Sequence, residues 1–188
     1  DFVNNTTNAS VKDTIADGSG THFINLASPI TSRDNLRQGA ADILVLAKSL
    51  ANLNVDGVAG GDVNMSQVRF SGISLGAIVG TVALGADKSA SLIGAASLSV
   101  GGGAIPKLLD ASKSYGPVIA AGLAGNGVSE NTDSYETFMR FAQTLADSGD
   151  PINFAVAAKT NRPIHFTQVL NDLVVPNDAM KGAASATQ

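Results

Sequence analysis

The segment that most constrains the fold is Gly72-Ile73-Ser74-Leu75-Gly76, here called the serine turn. Residues 67–70 before it favour an extended chain, and apolar residues after it recur at helical spacing through Val82. The chain therefore has to change direction within five residues. We predict a strand, a tight turn carrying Ser74 and a helix, and we expect a side chain at position 72 or 76 to collide with the neighbouring backbone.

The serine turn matters for chemistry because a serine becomes a good nucleophile only when its hydroxyl lies clear of the sheet and near a general base. A strained strand-to-helix turn exposes the hydroxyl of Ser74 in this way. The N–H of Leu75, at the start of the following helix, can then donate to a developing oxyanion. The same pattern is also compatible with a glycine-rich packing turn that carries no chemistry.

Composition limits the classes of protein to which the chain can belong. Its 188 residues, 44% hydrophobic and 15% charged, suit one globular domain or a large piece of one. A net charge of −4 without any basic cluster argues against nucleic acid or an anionic membrane surface as a partner. The absence of cysteine excludes disulfide and thiolate–metal frameworks. The chain opens at Asp1 with no signal peptide, so we expect a processed or trimmed start.

The remaining patterns predict a sheet of parallel strands connected by helices. Thr31 and Asp34 have capping-box form, so we expect a helix to begin there, with apolar residues through Leu53 packed on a sheet. A buried strand of small residues is predicted at residues 91–98, and the alternating pattern of residues 164–170 predicts another strand. The order of helix, strand, serine turn and helix is that of a parallel α/β fold.

Four segments are predicted along the chain. Residues 1–21 form a loop or arm, and residues 22–104 form a core α/β segment that contains the serine turn. Residues 105–150 form a helical cap or a crossover insertion, and residues 151–188 hold a core strand, a loop with an acidic residue and a tail. The apolar stripe expected on the last helix of the insertion consists of Phe138, Phe141 and Leu145.

Asp172 is the second candidate for a catalytic role. In a parallel sheet the carboxyl ends of the strands meet at one edge, so Asp172, just after the third strand, should lie on the same edge as Ser74. There it could orient and charge-stabilise a histidine; the alternatives are a turn-forming residue in solvent and Asp178 as the acid. His165 lies within a strand pattern and we expect a structural role for it, as for His22, which remains the upstream alternative.

Four stretches together resemble one family: Ile24-Asn25-Leu26-Ala27-Ser28, Ser32-Arg33-Asp34-Asn35-Leu36-Arg37-Gln38, Gly72-Ile73-Ser74-Leu75-Gly76-Ala77-Ile78-Val79-Gly80, and Asp147-Ser148-Gly149-Asp150-Pro151-Ile152-Asn153. With them, most of residues 20–178 is similar to the bacterial extracellular lipases and surface lysophospholipases of the α/β-hydrolase superfamily.

This resemblance implies a partial α/β-hydrolase fold in a lipid-degrading enzyme that is secreted or held at the bacterial cell surface. It also implies hydrolysis of carboxylic esters of acyl chains by a Ser-Asp-His triad in that chain order. Ser74 matches the nucleophile, Leu75 matches one oxyanion donor, Asp172 matches the acid, and Gly72 and Gly76 match the glycines of the nucleophile elbow.

The chain also departs from the pattern of that family. The histidine should follow Asp172, yet residues 173–188 contain none, and the segment before His22 is too short to carry the second oxyanion donor. We therefore expect a central fragment of a serine esterase or lipase that acts on an acyl ester or lipid without cofactor or metal. Missing segments of the same protein, or a second copy of the chain, would complete the catalytic site. The alternative is a non-catalytic module that binds a lipid or a partner on the same fold.

Overall fold

The computed structural model describes residues 23–178. The arm predicted at residues 1–21, His22 and the tail at residues 179–188 lie outside the described part of the chain. Residues 23–178 form a mixed α/β structure with a small parallel sheet, which confirms the predicted fold class at that level. Within this range, no helix combines the length and the apolar character needed to span a membrane.

The sheet has three parallel strands in the order β1, β2, β3. Strand β1 covers Arg69–Ile73, β2 covers Ala95–Ser99 and β3 covers Ile164–Thr167. The second and third strands are shorter than the predicted ones, and the residues before β1 form a 3-10 turn at Met65–Gln67. Because all three strands run the same way, their carboxyl ends lie at one edge of the sheet.

The helices predicted from apolar spacing are present, with small shifts at their ends. Among residues 23–178 they are α1 (Pro29–Ser49), α2 (Leu75–Ala86), α3 (Ile105–Ala111), α4 (Gly116–Ala124) and α5 (Asp133–Ala146). A further helix, α6 (Ala155–Thr160), was not predicted. Helix α2 packs on β1, β2 and α6, and α1 packs on α2 and α5. Helix α1 therefore packs mainly on other helices. Its Ala47 and Ile43 also belong to the apolar cluster that contains Phe70 of β1 and Ala96 and Leu98 of β2, so the predicted packing of α1 on the sheet accounts for a minor part of its contacts.

The start of α1 also differs from the prediction. The helix begins at Pro29, and Ser28 caps it by accepting a hydrogen bond from the Thr31 N–H at 3.3 Å. Proline suits the first helical position because its missing N–H would have no acceptor within the helix. Asp34 does not reach back to the cap: its carboxylate accepts from the Arg33 Nε at 2.8 Å. Thr31 and Asp34 therefore form no capping box.

The buried face of α5 is not the predicted one. Phe141 is 61% exposed and Phe138 lies at the surface. The buried stripe is rotated by about a quarter-turn from the predicted one, and its small residues Ala142 and Ala146 lie on the side of α5 that packs on α1 and α3. The buried residues of α5 are Tyr135, Met139, Ala142 and Ala146.

A buried ion pair joins the end of α2 to the residues that enter β3. The Arg162 guanidinium donates to Asp87 Oδ2 at 3.1 Å and to the Ile93 carbonyl at 2.8 Å, and both charged side chains are buried. Burial by itself raises the pKa of Asp87, but hydrogen bonds from the N–H groups of Ile93 and Leu92 and from Arg162 lower that pKa by more. Asp87 is therefore ionised in the folded protein and fixes the connection between helix and sheet.

Candidate active site

Ser74 occupies a strained backbone conformation between β1 and α2. Its dihedral angles, φ 50° and ψ −120°, are those of the second residue of a type II′ turn, where glycine predominates. A residue other than glycine held there costs about 1–3 kcal/mol of backbone strain. The Ser74 N–H donates to the Ser99 carbonyl of β2 at 2.9 Å, which ties the turn to the edge of the sheet. The predicted sharp strand-to-helix turn is therefore confirmed.

The glycines around Ser74 differ in how closely other atoms approach them. A Cβ at Gly72 would lie 2.6 Å from the Gly76 carbonyl oxygen, so the predicted collision at position 72 is confirmed. A Cβ at Gly76 would meet no described atom within 4 Å outside its chain neighbours and the adjoining backbone of α2, so the predicted collision there is wrong. Gly76 approaches β1 through its carbonyl and not through its Cα. A third glycine, Gly80, was not predicted to matter, yet a Cβ there would overlap the ring of Phe70.

The start of α2 provides backbone donors next to Ser74. The N–H groups of Ala77 and Ile78 donate to the Ser74 carbonyl at 2.9 and 3.0 Å, which closes the first turn of the helix. The earlier N–H groups of a helix, including that of Leu75, have no acceptor within it. The positive end of the helix dipole lies at the same place, so developing negative charge beside Ser74 is stabilised there.

Ser74 lies in the wall of a cavity of about 430 Å³, here called the Ser74 cavity. This volume falls within the range of small-molecule binding sites. Most of the wall is apolar, and it is assembled from separate parts of the chain: the segment before α1, the start of α2, α3 and the loop after β3. The lining residues are Ile24, Leu26, Ser74, Leu75, Ile78, Ile105, Leu108, Leu109, Tyr115, Val174 and Val175.

Asp172 shapes the loop that reaches this cavity from β3. Its Oδ1 accepts hydrogen bonds from the N–H groups of Val174 at 2.8 Å and Val175 at 3.0 Å. These two bonds, that of Val175 first, lower the pKa of Asp172, so its carboxylate is ionised at neutral pH. Val174 and Val175 line the Ser74 cavity, whereas Asp172 itself is not among the lining residues. Asp178, the weaker alternative, is exposed near the end of the described range.

His165 is too far from Ser74 to act as its base. It lies in β3, with its Nδ1 3.3 Å from the Ser97 hydroxyl, and Ser97 is paired in register with Ser71. Ser71 precedes Ser74 by three residues, about 10 Å along the strand, and two strand spacings add about 10 Å across the sheet. His165 therefore belongs to an exposed sheet face, as a structural histidine. Within residues 23–178, no histidine lies within reach of the Ser74 hydroxyl.

The described residues thus bring together Ser74, the Leu75 N–H and the loop shaped by Asp172 in a parallel α/β fold. No group of three or more acidic or histidine side chains among residues 23–178 is arranged to hold a metal ion. Comparison with models of known protein families, with curated proteins and with solved structures gives no match. Function is therefore inferred from the geometry around Ser74 and from the sequence.

Proposed function

We propose that the protein is a serine hydrolase of carboxylic esters with an α/β-hydrolase fold, in which Ser74 is the nucleophile. One observation carries this proposal: a serine occupies a conformation that favours glycine, and it does so in the wall of a 430 Å³ apolar cavity. A turn needed only for packing would be more stable with glycine at position 74. Strain retained at a residue with a hydroxyl group therefore supports a chemical role.

The proposed reaction begins when Ser74 Oγ attacks the carbonyl carbon of the ester while a histidine base accepts the hydroxyl proton. The electron pair of the carbonyl moves onto its oxygen, and the Leu75 N–H donates to that oxyanion. Collapse of the intermediate breaks the bond to the alcohol, which leaves with the proton from the histidine. Water then attacks the Ser74 ester in the same way and releases the acid.

The histidine has to come from outside residues 23–178, either from another segment of the same polypeptide or from a second copy of the chain. Exposed apolar residues near the carboxyl edge of the sheet favour such an addition: Ile73 is 71% exposed and Leu170 is 86% exposed. Asp172 would orient this histidine and stabilise its positive charge, for which an ionised carboxylate is required.

The apolar walls support an acyl ester or a lipid as the substrate, since they bury hydrocarbon and provide few polar partners. Helix α3 contributes Ile105, Leu108 and Leu109 to these walls, which supports the interpretation of residues 105–150 as a cap. Secretion, or attachment at a bacterial cell surface, is proposed together with this function because of the sequence resemblance.

The test uses the protein expressed from its complete reading frame, a fluorophosphonate probe and p-nitrophenyl butyrate. Ser74→Ala should abolish labelling and lower turnover by several orders of magnitude, because the attacking oxygen is removed. Ser71→Ala is the matched control, since it removes a hydroxyl from an exposed position on β1, the strand that precedes Ser74. Labelling and turnover that survive Ser74→Ala would contradict the proposal.

The variant Asp172→Asn distinguishes a catalytic role of the Asp172 carboxylate from its role in forming the turn. Asparagine can still accept the hydrogen bonds from Val174 and Val175, so we expect the loop and the melting temperature to change little. Loss of the negative charge should nevertheless lower kcat by about four orders of magnitude, as for the acid of a serine triad. Asp178→Asn is the control. Unchanged turnover in Asp172→Asn would show that Asp172 only forms the turn.

A second function is favoured by the lack of a histidine near Ser74 within the described residues: a module that binds a lipid or a partner in the apolar cavity without hydrolysis. This function predicts no fluorophosphonate labelling of Ser74 and no ester turnover. It also predicts saturable binding of a long-chain fatty acid, which fluorescence titration measures.

A further inference from the structure

A second apolar cavity lies next to the Ser74 cavity and is lined mainly by α1, α3 and α5; its volume is about 70 Å³. We propose that this second cavity receives the distal end of an acyl chain whose ester is held at Ser74. The position of the ester rests on the function proposed above, whereas the binding of hydrocarbon rests on the two cavities alone. The protein would therefore prefer long acyl chains to short ones.

The two cavities have walls in common. Leu26, Ile105 and Leu109 line both of them. Ile105 and Leu109 are four residues apart on α3 and therefore lie on the same face of that helix. Two residues adjacent to them on α3 each line one cavity: Leu108 lines the Ser74 cavity, and Pro106 lines the second cavity. The two cavities therefore adjoin along one face of α3, with Leu26, Ile105 and Leu109 between them.

The polar residues in the wall of the second cavity already have partners. The Ser32 hydroxyl donates to the Asn25 carbonyl at 3.0 Å and accepts from the Asn25 N–H at 2.8 Å. The Arg33 guanidinium donates to the exposed carboxylate of Asp34 through two bonds, of 2.8 and 3.0 Å. The side-chain oxygen of Asn25, the third polar residue of the lining, accepts from the Ala27 N–H at 3.0 Å, and the other lining residues are apolar. An apolar lining whose polar groups already have partners favours hydrocarbon over a polar ligand.

The size of the second cavity suits the end of a chain and not a whole ligand. Its volume of about 70 Å³ is far below that of a site for a whole drug-sized ligand and leaves room for a few carbon atoms. The space exists partly because α5 presents the small side chains of Ala142 and Ala146 there, and both residues are buried. A larger side chain at position 142 would fill it.

The test compares p-nitrophenyl butyrate with p-nitrophenyl palmitate in wild type and in Ala142→Leu. Filling the cavity should lower kcat/KM for the palmitate ester by roughly tenfold or more, because each methylene group of the acyl chain that no longer contacts the cavity wall weakens binding. The value for the butyrate ester should stay within about twofold, since a short chain does not reach the cavity. Ala121→Leu is the control: it makes the same substitution on an exposed surface of α4.

Ile119→Phe fills the second cavity from α4 and replaces Ala142→Leu if that variant does not fold, since Ile119 lines only this cavity of the two. An unchanged ratio of palmitate to butyrate turnover in a folded filling variant would overturn the inference and leave the proposed function intact.

Absence of both labelling and turnover in wild type would instead reject the proposed function. The inference is then decided by titration with cis-parinaric acid, a fluorescent long-chain fatty acid. Binding weakened by roughly tenfold in the filling variant, with Ala121→Leu unchanged, would support it. Equal binding in all variants, or none in wild type, would overturn it.

Discussion

Replacing Ser74 by glycine should make the protein more stable while removing its proposed activity. The strain of φ 50° and ψ −120° costs about 1–3 kcal/mol for a residue with a Cβ, and glycine removes it. Glycine also increases the freedom of the unfolded chain, which costs about 0.4–1 kcal/mol. The net gain in the free energy of unfolding is therefore about 0.5–2 kcal/mol. Ser74→Ala keeps the Cβ and should keep the strain.

Urea unfolding monitored by circular dichroism measures this difference, with Ser74→Ala as the reference because both variants lack the hydroxyl. Ser71→Gly is the control: that residue lies in the regular part of β1, where glycine should destabilise by about 0.5–1 kcal/mol. If Ser74→Gly proves less stable than Ser74→Ala, the backbone at position 74 is not strained. The main support for a nucleophile at that position would then be lost.

Three further changes test how the site is positioned. Gly72→Ala should destabilise the protein by more than 1 kcal/mol, because the new Cβ would lie 2.6 Å from the Gly76 oxygen; thermal unfolding measures this. Ser28→Ala should cost about 1 kcal/mol in urea unfolding, because it removes the acceptor for the first turn of α1. Asp87→Asn should be less stable than wild type at neutral pH, and this difference should shrink as the pH falls below 3.8, the ordinary pKa of the carboxyl group. Urea unfolding at several pH values measures the difference.

The sign of the last effect follows from the lowered pKa of Asp87. A carboxyl group whose pKa is lower in the folded than in the unfolded protein contributes its full stabilisation at pH values above the unfolded-state pKa. This contribution is lost as the pH falls through the folded-state pKa. A difference that grows towards low pH would contradict the assignment. For the other two variants, a Gly72→Ala protein as stable as Gly76→Ala, or a Ser28→Ala protein as stable as wild type, would refute the packing and capping described above.

Features that depend on neighbours along the chain were predictable. The serine turn follows from glycine spacing between two periodic segments, and α2 to α5 follow from apolar spacing within each of them. The start of α1 was mispredicted although a signal was present: Pro29 marks the first helical position, which makes Ser28 the cap. Gly80 could also have been found, since a glycine inside an apolar helix indicates close packing.

Features that depend on residues distant in sequence were not predictable. Apolar residues occupy two adjacent stripes of α5, so only its contacts with α1 and α3 decide that Met139 is buried and Phe141 is exposed. The walls of the Ser74 cavity come from four separate parts of the chain, whose meeting depends on how the helices pack.

By itself, the sequence determined that Ser74 lies at a tight turn between a strand and a helix, because dihedral preferences and apolar spacing act over a few residues. Only the tertiary structure decided that this serine lines an apolar cavity, that Asp172 shapes the loop beside it, and that His165 lies on a distant part of the sheet. These facts depend on strand register and on the packing of helices, which arise only when segments far apart in sequence come into contact.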